Sequence, residues 1–407
     1  MFEARAVQHR PCTAQAQQAP PSGAESGASV RVTSTLHSVP GPLHAVHVLS
    51  TVAGAHVSSL AGGLVARGLD VTVCGPAMSE VDYRFTGTGA RFVAVDIGRN
   101  AAADAPVVHA LRSAFGDAGV VHAHGLRAGL LAAVALGGRR TPLVVTWHSS
   151  EPPVDGGRAA MLRWLERRAV RGATVVLGAS SDLVDQARTY GARDVRLAPV
   201  AVPRPAARPP RPPADGERHR QKTRAEFGAV DRPLLLAVGR LEPDKGYPLL
   251  LDAAARWAGL EPRPLVAIAG EGPERAALER RIEAERLPAV LLGRRDDIPE
   301  LLSAADLVLL PSRWEGRALI AQEALHAGVP LVATAVGGTP ELVGEAAVLV
   351  PYGDAAALAD AVTALLGDQP RRTALAVAGR AQAATWPTED DTVAQVLSVY
   401  DELIQAR

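Results

Sequence analysis

Two series of short apolar runs, alternating with longer amphipathic segments, constrain the fold of this chain more than any other feature. Short runs rich in Val, Leu and Ile are typical of strands buried in a parallel sheet, whereas the longer segments have the spacing of helices. In the first series, the pattern predicts a helix at 56–67 and strands at 45–50, 70–74, 91–95, 120–124, 143–147 and 174–177.

A proline-rich break separates the two series. Proline has no N–H to donate, so the Pro- and Arg-rich segment 203–213 predicts a stiff, solvated linker, which we extend over 203–231. Binding of an anionic partner by its arginines is the less simple alternative. Beyond the linker, the pattern predicts a helix at 390–406 and strands at 233–238, 265–269, 289–292, 307–310, 331–334 and 347–350.

The predicted fold class is therefore α/β, with two tandem Rossmann-like doubly wound domains that face a cleft. We predict an N-terminal domain over 42–202, a C-terminal domain over 232–387, and a terminal helix in 388–407 that packs back on the N-terminal domain. Residues 1–41, rich in Ala, Gln, Ser, Pro and Gly, predict a disordered leader. Because ligand sites favour domain interfaces, we expect the site in the cleft.

Composition argues against several classes of protein. The 43 basic and 43 acidic side chains balance and aromatic residues make up only 4%, so neither charge nor stacking predicts a nucleic-acid partner. Cys12 and Cys74 are too few for a disulfide framework or a cysteine zinc site. No run reaches the roughly 18 apolar residues of a membrane span, and the N-terminus lacks the apolar core of a signal peptide. We expect a cytoplasmic protein with no metal site and no cofactor.

The loop after the first strand of the second series carries two cations between two glycines, Gly239 and Gly246. Arg240 and Lys245, placed at a strand exit, could bind a diphosphate and stabilise the negative charge that grows on it as a leaving group. Taken alone, the loop is more simply explained by an arginine–aspartate surface pair. The carboxylates on a neighbouring strand end, described below, favour the ligand.

Two further glycine turns follow predicted strands. Gly270, Glu271 and Gly272 would let the backbone approach a ligand closely. Gly337 and Gly338 precede a Thr-Pro helix start, which presents free N–H groups and the positive end of a helix dipole to an anion. Neither turn has the glycine spacing of a dinucleotide site or the lysine of a Walker loop.

Two carboxylates, Glu315 and Glu323, follow the predicted strand at 307–310. Ligands of open α/β sheets bind outside the carboxyl ends of the strands, so these side chains are expected near the cleft. A carboxylate beside a diphosphate would be repelled, so we expect both to accept hydrogen bonds from hydroxyls, with Glu323 on a ribose and Glu315 nearer a sugar ring. A plain helix-surface glutamate is the alternative for Glu323.

Two histidines end strands of the first series, His124 and His148. A lone histidine in such a position is more often structural than functional. The polar loop that follows His148 favours a place for its imidazole at the cleft.

These motifs together resemble the family-four retaining glycosyltransferases of GT-B fold. The resemblance covers nearly all of residues 43–407 and is most specific in the second domain. The residues that carry it occur in the order and spacing of the family: Gly239-Arg240…Lys245-Gly246, Gly270-Glu271-Gly272, Pro311-Ser312…Glu315…Glu323-Ala324, Ala327-Gly328-Val329-Pro330 and Gly337-Gly338…Glu341.

The resemblance implies a metal-independent enzyme that moves a sugar from a nucleoside-diphosphate sugar, of UDP or GDP type, to an unidentified acceptor hydroxyl. The N-terminal domain would face the acceptor. The cations of the first loop would hold the donor diphosphate, Glu323 the ribose and Glu315 the transferred sugar. His148 matches a strand-end histidine beside that sugar. Donor contacts are implied for Ser312, for the glycine turns and for the base-binding backbone from Arg294 to Ile298.

One loop departs from the family pattern. The first loop of the first domain usually carries a Gly-Gly pair before the helix, and here only Gly54 is present. This departure leaves open two features that the resemblance implies for the loop of Gly54: its contact with the donor diphosphate and the close approach of an acceptor. Two alternatives remain: an epimerase or hydrolase that needs no acceptor, and a non-catalytic nucleotide-sugar binder.

A basic amphipathic segment at 160–170 raises the question of membrane contact. Its apolar residues include Met161, Leu162 and Trp164. The simpler interpretation is that they cover the sheet, and the alternative is a weak peripheral contact with anionic lipid at the inner face of the membrane.

Overall fold

The computed structural model describes residues 42–50, 53–98, 104–149, 157–201 and 213–406. The predicted leader at 1–41 and residues 203–212 of the predicted linker lie outside this part of the chain.

The first domain is a seven-stranded, fully parallel sheet in the order β3-β2-β1-β4-β5-β6-β7. Its central strands are completely buried because helices cover both faces, which explains their continuous apolar runs. The strands are β1 (His44–Leu49), β2 (Asp70–Gly75), β3 (Arg91–Ala94), β4 (Val120–His124), β5 (Leu143–Trp147), β6 (Val175–Gly178) and β7 (Val195–Leu197). The helices are α1 (Gly54–Val65), α2 (Ala77–Tyr83), α3 (Asp104–Ala114), α4 (Leu126–Ala135), α5 (Gly157–Gly172) and α6 (Ser181–Thr189).

The second domain repeats the plan with a six-stranded parallel sheet in the order β10-β9-β8-β11-β12-β13. Its strands are β8 (Leu234–Val238), β9 (Leu265–Ala269), β10 (Ala289–Gly293), β11 (Leu307–Leu310), β12 (Leu331–Thr334) and β13 (Val348–Val350). Its helices are α7 (Pro213–Glu226), α8 (Tyr247–Ala255), α9 (Arg275–Glu285), α10 (Ile298–Ala304), α11 (Leu319–Ala327), α12 (Thr339–Val343), α13 (Ala355–Gly367) and α14 (Gln369–Ala384), followed by α15 (Glu389–Gln405). The predicted α/β class with two Rossmann-like domains is confirmed.

Strand order reverses at two places, between β1 and β4 in the first sheet and between β8 and β11 in the second. Such a switch point leaves a crevice at the carboxyl ends of the two central strands, because the following helices go to opposite faces. The loops after β8 and β11 carry the two cations and Glu315, and His124 ends β4. The topology therefore puts these four predicted residues, Arg240, Lys245, Glu315 and His124, at the switch points.

Part of the predicted linker is a helix. Residues 213–226 form α7, whose buried Arg224 donates to the carbonyls of Ala304 at 2.8 Å and Arg232 at 2.7 Å and pairs with Asp306 at 3.0 Å. These bonds attach α7 to the second domain. Apolar periodicity does not reveal this helix, because the bonds of the Arg224 guanidinium, rather than an apolar stripe, hold α7 against the second domain.

The terminal helix α15 packs on α1 of the first domain. A Cβ on Gly63 of α1 would lie 2.4 Å from Val393, so the missing side chain lets the two helices approach closely. Val396, Val399 and Tyr400 are buried in the same core as Leu60. The chain thus returns to the first sheet after completing the second.

Candidate active site

A cleft of about 630 Å³ lies beside the carboxyl ends of the second sheet. Its walls come from both domains, because α2 and the end of β2 face the loops that follow β8, β9 and β10. Seven predicted donor-binding residues line it: Gly239, Arg240, Gly270, Glu271, Gly272, Arg294 and Ile298. The first domain contributes Pro76, Met78, Ser79, Asp82 and Tyr83, which the sequence analysis did not identify. Their position directly after β2 was the available signal.

The loops after β8 and β9 touch through their backbones. Gly270 has a φ of +154°, and a Cβ there would lie 1.8 Å from the carbonyl oxygen of Gly239. A Cβ on Gly272 would lie 2.5 Å from the carbonyl oxygen of Leu241. Any side chain would push the loops apart, so these glycines shape the cleft wall.

Lys245, Ser312 and Glu315 form a compact polar cluster between the loops after β8 and β11. The Oε1 atom of Glu315 accepts hydrogen bonds from Lys245 Nζ at 2.8 Å and from Ser312 Oγ at 2.7 Å. Both Glu315 and Ser312 are buried. Oε2 of Glu315 makes no hydrogen bond to any residue that the structure describes, so one carboxylate oxygen is available to a ligand. All three residues were predicted from the sequence, but the ion pair between Lys245 and Glu315 was not.

The ammonium of Lys245 keeps its charge in this environment. Burial lowers the pKa of Lys245, but attraction to Glu315, their hydrogen bond and the nearby Asp244 and Glu242 outweigh that effect and raise it. Since an ammonium has three N–H donors, the pair with Glu315 does not exhaust it. Arg240 is more exposed and pairs with Glu242 at 2.7 Å.

The Gly337–Gly338 turn touches the backbone of Glu315. Gly338 N–H donates to the Glu315 carbonyl at 2.8 Å, and Gly337, at a φ of +51°, would place a Cβ 2.1 Å from the same oxygen. On the other side of this loop, a Cβ on Gly316 would lie 2.7 Å from the carbonyl oxygen of His148. The loop that carries Glu315 is therefore enclosed between the start of α12 and the first domain.

Glu323 stands apart from these residues. It lies half-buried in α11, where burial raises its pKa above the ordinary value of a glutamate. No recorded contact in the described residues joins it to the cleft or to the cluster of Lys245 and Glu315. Its predicted place at a ribose remains a prediction.

Gly54 is the first residue of α1, and a Cβ there would lie 2.1 Å from the ring of Tyr83, which lines the cleft. The one glycine left in the altered loop thus gives room to a side chain of the cleft wall.

His148 follows β5 and belongs to a group of five buried or half-buried histidines, of which the sequence analysis identified only His124 besides it. His124 Nδ1 lies 3.2 Å from His148 Nε2, and burial lowers the pKa of both imidazoles well below the usual range. Among the described residues, two sets of three histidines could hold a metal ion, because the ligand nitrogens within each set lie within 4.8 Å of one another: His47, His122 and His124, and His56, His124 and His148.

No helix in the described part of the chain combines the length and apolar character needed to cross a bilayer.

Two family models match the chain, each over one domain. The model described as glycosyl transferases group 1 matches residues 219–382, and the glycosyl transferase 4-like domain matches residues 51–203.

Curated relatives agree with these matches, and a solved structure shares the fold. The chain is 35% identical to the alpha-D-kanosaminyltransferase of Streptomyces kanamyceticus over 58% of this chain and 64% of the relative, which is less than two thirds of the relative's length. It is 34% identical to the alpha-maltose-1-phosphate synthase of Mycolicibacterium smegmatis over 62% of this chain and 70% of the relative. The crystal structure of Anabaena HepE in complex with UDP-glucose superposes with a TM-score of 0.72 at 21% identity, covering 87% of this chain and 99% of that chain.

Proposed function

The chain belongs to the glycosyl transferases of group 1, and from this premise we propose that it moves a sugar from a nucleoside-diphosphate sugar to an acceptor hydroxyl, with retained anomeric configuration and without a metal ion. The observation that carries the proposal is the cluster of Lys245, Ser312 and Glu315. There a cation with N–H donors to spare lies next to a carboxylate with one free oxygen.

The donor would lie across the loops of the second domain. Its base would occupy the cleft beside Arg294 and Ile298, and its diphosphate would bind Arg240 and Lys245. Glu315 Oε2 would accept a hydrogen bond from a hydroxyl of the transferred sugar. The alternation of cation and carboxylate supports this order, because the cations then contact the anionic diphosphate and the carboxylate contacts a neutral hydroxyl. The UDP-glucose bound by the Anabaena neighbour supports a uridine donor, and guanosine is the alternative.

The chemistry of the transfer follows from charge development. As the bond between the sugar and the diphosphate breaks, negative charge grows on the leaving phosphate, and the two cations stabilise it in the role that a metal has in other enzymes. The leaving phosphate oxygen takes the proton of the acceptor hydroxyl on the same face of the sugar, which retains the configuration. His148 orients the sugar from the side of the first domain.

Substitution of Lys245 tests this assignment. Lys245→Met should lower turnover by about 10²–10³-fold, the usual loss when one transition-state donor is removed. The control is Lys222→Met, which removes the other lysine of the chain from an exposed position on α7. Thermal unfolding of both variants monitors the fold. Near-normal turnover in folded Lys245→Met would contradict the proposal.

The donor itself is identified by thermal shift with a panel of nucleoside diphosphates and their sugars. A ligand that binds only the folded state at 100 times its Kd stabilises it by about 2.7 kcal/mol. Incubation with the donor alone separates the alternatives: an epimerase or hydrolase converts it without an acceptor, and a simple binder leaves it unchanged.

A weak contact with the inner face of the membrane is a second proposal. In α5, Met161 and Trp164 are each 57% exposed, so they do not cover the sheet, and the guanidinium of Arg168 lies over the Trp164 ring. Exposed apolar side chains beside arginines are typical of helices that lie on anionic lipid. We expect the protein to pellet with vesicles containing phosphatidylglycerol and Trp164→Ser to reduce that fraction; equal pelleting of both would contradict the contact.

A further inference from the structure

A continuous row of hydrogen bonds runs from the interior of the first domain to His148. Every member before His148 is buried. In order, the bonds join Thr146 Oγ1 to His122 Nε2 (2.6 Å), His122 Nδ1 to Tyr400 Oη (2.7 Å), Tyr400 Oη to His47 Nε2 (3.4 Å), His47 Nδ1 to His124 Nε2 (3.0 Å) and His124 Nδ1 to His148 Nε2 (3.2 Å).

The imidazoles of this row are neutral. Burial lowers the pKa of His47 to about 3, and burial with repulsion from neighbouring histidines lowers those of His122 and His124 well below the usual value. A neutral imidazole has one N–H donor and one acceptor nitrogen. If one nitrogen of a ring accepts, the other must donate, so the direction of one bond sets the direction of the next.

The hydroxyl of Thr146 determines in which of the two directions every buried donor of the row has an acceptor. The only partner recorded for its hydroxyl among the described residues is His122 Nε2, so its proton goes there. His122 then donates to Tyr400, Tyr400 to His47, His47 to His124, and His124 to Nε2 of His148. In the opposite direction, the buried hydroxyl of Thr146 keeps a proton without an acceptor, and if Tyr400 accepts from both sides its own proton has none. Buried donors without acceptors are costly, which favours the first direction.

We propose that this row sets the tautomer of His148, with Nε2 as the acceptor and the proton on Nδ1, and that Tyr400 and Thr146 are positioning residues for it. His148 then presents an N–H to a ligand and has no free lone pair for the acceptor proton. The consequence for catalysis rests on the proposed function, whereas the tautomer itself does not.

A metal ion fits these histidines less well than the hydrogen bonds do. Both nitrogens of His122 are occupied, by Thr146 and Tyr400, and both nitrogens of His124 are occupied, by His47 and His148. An ion held by either set of three histidines would break at least one of these bonds.

The row also gives α15 a role at the site, because Tyr400 of α15 bridges His122 and His47.

Nitrogen-15 NMR of histidine-labelled protein, without any ligand at neutral pH, tests the tautomer. Long-range proton–nitrogen correlations distinguish a ring protonated at Nδ1 from one protonated at Nε2, and His148→Gln assigns the signal. We expect Nδ1–H at His148 in the wild type and a mixture of tautomers in Tyr400→Phe, which removes the bridge. Tyr190→Phe is the matched control, because Tyr190 is buried and its hydroxyl bonds Glu166 and Gln186 instead.

Three results would overturn the proposal: Nε2–H at His148 in the wild type, an unchanged signal in folded Tyr400→Phe, or stoichiometric displacement of the His56, His124 and His148 signals by added Zn²⁺. In the activity assay, a half-populated tautomer should weaken apparent donor affinity about twofold in Tyr400→Phe. If the wild type shows the predicted tautomer and no transfer activity, the proposed function fails while this inference stands.

Discussion

At the residue scale, Lys245, Ser312 and Glu315 hydrogen-bond to one another and still have donors and an acceptor available for a ligand. Oε1 of Glu315 accepts from Lys245 and Ser312, and its Oε2 accepts from no residue that the structure describes. The ammonium of Lys245 donates to Glu315, lies 3.7 Å from Asp244 Oδ2, and has N–H donors left for a ligand. A buried pair of this kind costs less than either charge buried alone. Ligand binding then adds bonds without first breaking the pair.

Glu323 carries the first prediction. If its carboxylate accepts the ribose hydroxyls, Glu323→Gln should raise the Kd of the nucleoside diphosphate about 10- to 100-fold, since hydrogen bonds to charged groups contribute about 1.5–3 kcal/mol. Burial raises the pKa of Glu323, so this carboxylate takes up its proton at a higher pH than an ordinary glutamate. Donor affinity should therefore decline on acidification before ordinary carboxylates titrate.

Isothermal calorimetry from neutral to acidic pH makes the measurement, and Glu283→Gln on the exposed face of α9 is the control. An unchanged Kd in Glu323→Gln would return Glu323 to a helix-surface role.

At the element scale, the site depends on how closely loops approach one another. The sequence predicted the strands to within one or two residues, because buried parallel strands are continuously apolar. It also predicted Gly239, Gly246, Gly270 and Gly337 as turn residues. It did not predict β7, of whose three residues two are half-buried and Leu197 is exposed, or the helix α7, whose anchors are guanidinium bonds. The local sequence pattern predicts which residues are buried and where turns occur, whereas contacts between loops that are distant in sequence depend on the order of the strands in the sheet.

Two glycines in left-handed backbone give the second prediction, because one is crowded and the other is not. Gly246 has a φ of +70°, and a Cβ there would lie 2.0 Å from the Pro311 carbonyl oxygen; Gly353 has a φ of +85° with nothing within 4 Å. Gly353→Ala should cost about 1–2 kcal/mol, the strain of that backbone alone. Gly246→Ala should cost clearly more and should also reduce turnover, because it displaces the loop of Lys245 from that of Ser312.

Urea unfolding and turnover of both variants test this comparison. Equal stability losses would show that the loops after β8 and β11 do not depend on their close contact.

At the scale of the whole molecule, the cleft exists because residues of both domains line it. The sequence predicted both domains, and their cleft follows from parallel sheets that present loops at their carboxyl ends. It did not predict the residues that attach α15 to the first domain. His47 and His122 are neighbours because β1 pairs with β4, and Tyr400, far from both in sequence, reaches them because α15 packs on that domain. The return of the terminal helix to this domain was predicted, but no local pattern shows which of its residues bond there.

Trp314 gives the last prediction, since it joins the Glu315 loop to the first domain. Its ring packs against the core of that domain, and its Nε1–H donates to Asp182 Oδ2 at 3.1 Å. Trp314→Ala removes both contacts and should lower kcat/KM tenfold or more, because the loop of Glu315 is then no longer held against the backbone of His148. A bond to a charged group contributes about 1.5–3 kcal/mol by itself. Trp314→Phe keeps the ring and should lose less. Trp164→Ala, at the exposed tryptophan of α5, is the control.

Enzyme kinetics and small-angle scattering together test this prediction. We expect Trp314→Ala to have a larger radius of gyration as well as lower activity. Wild-type values of both quantities would show that the domains are held by other contacts.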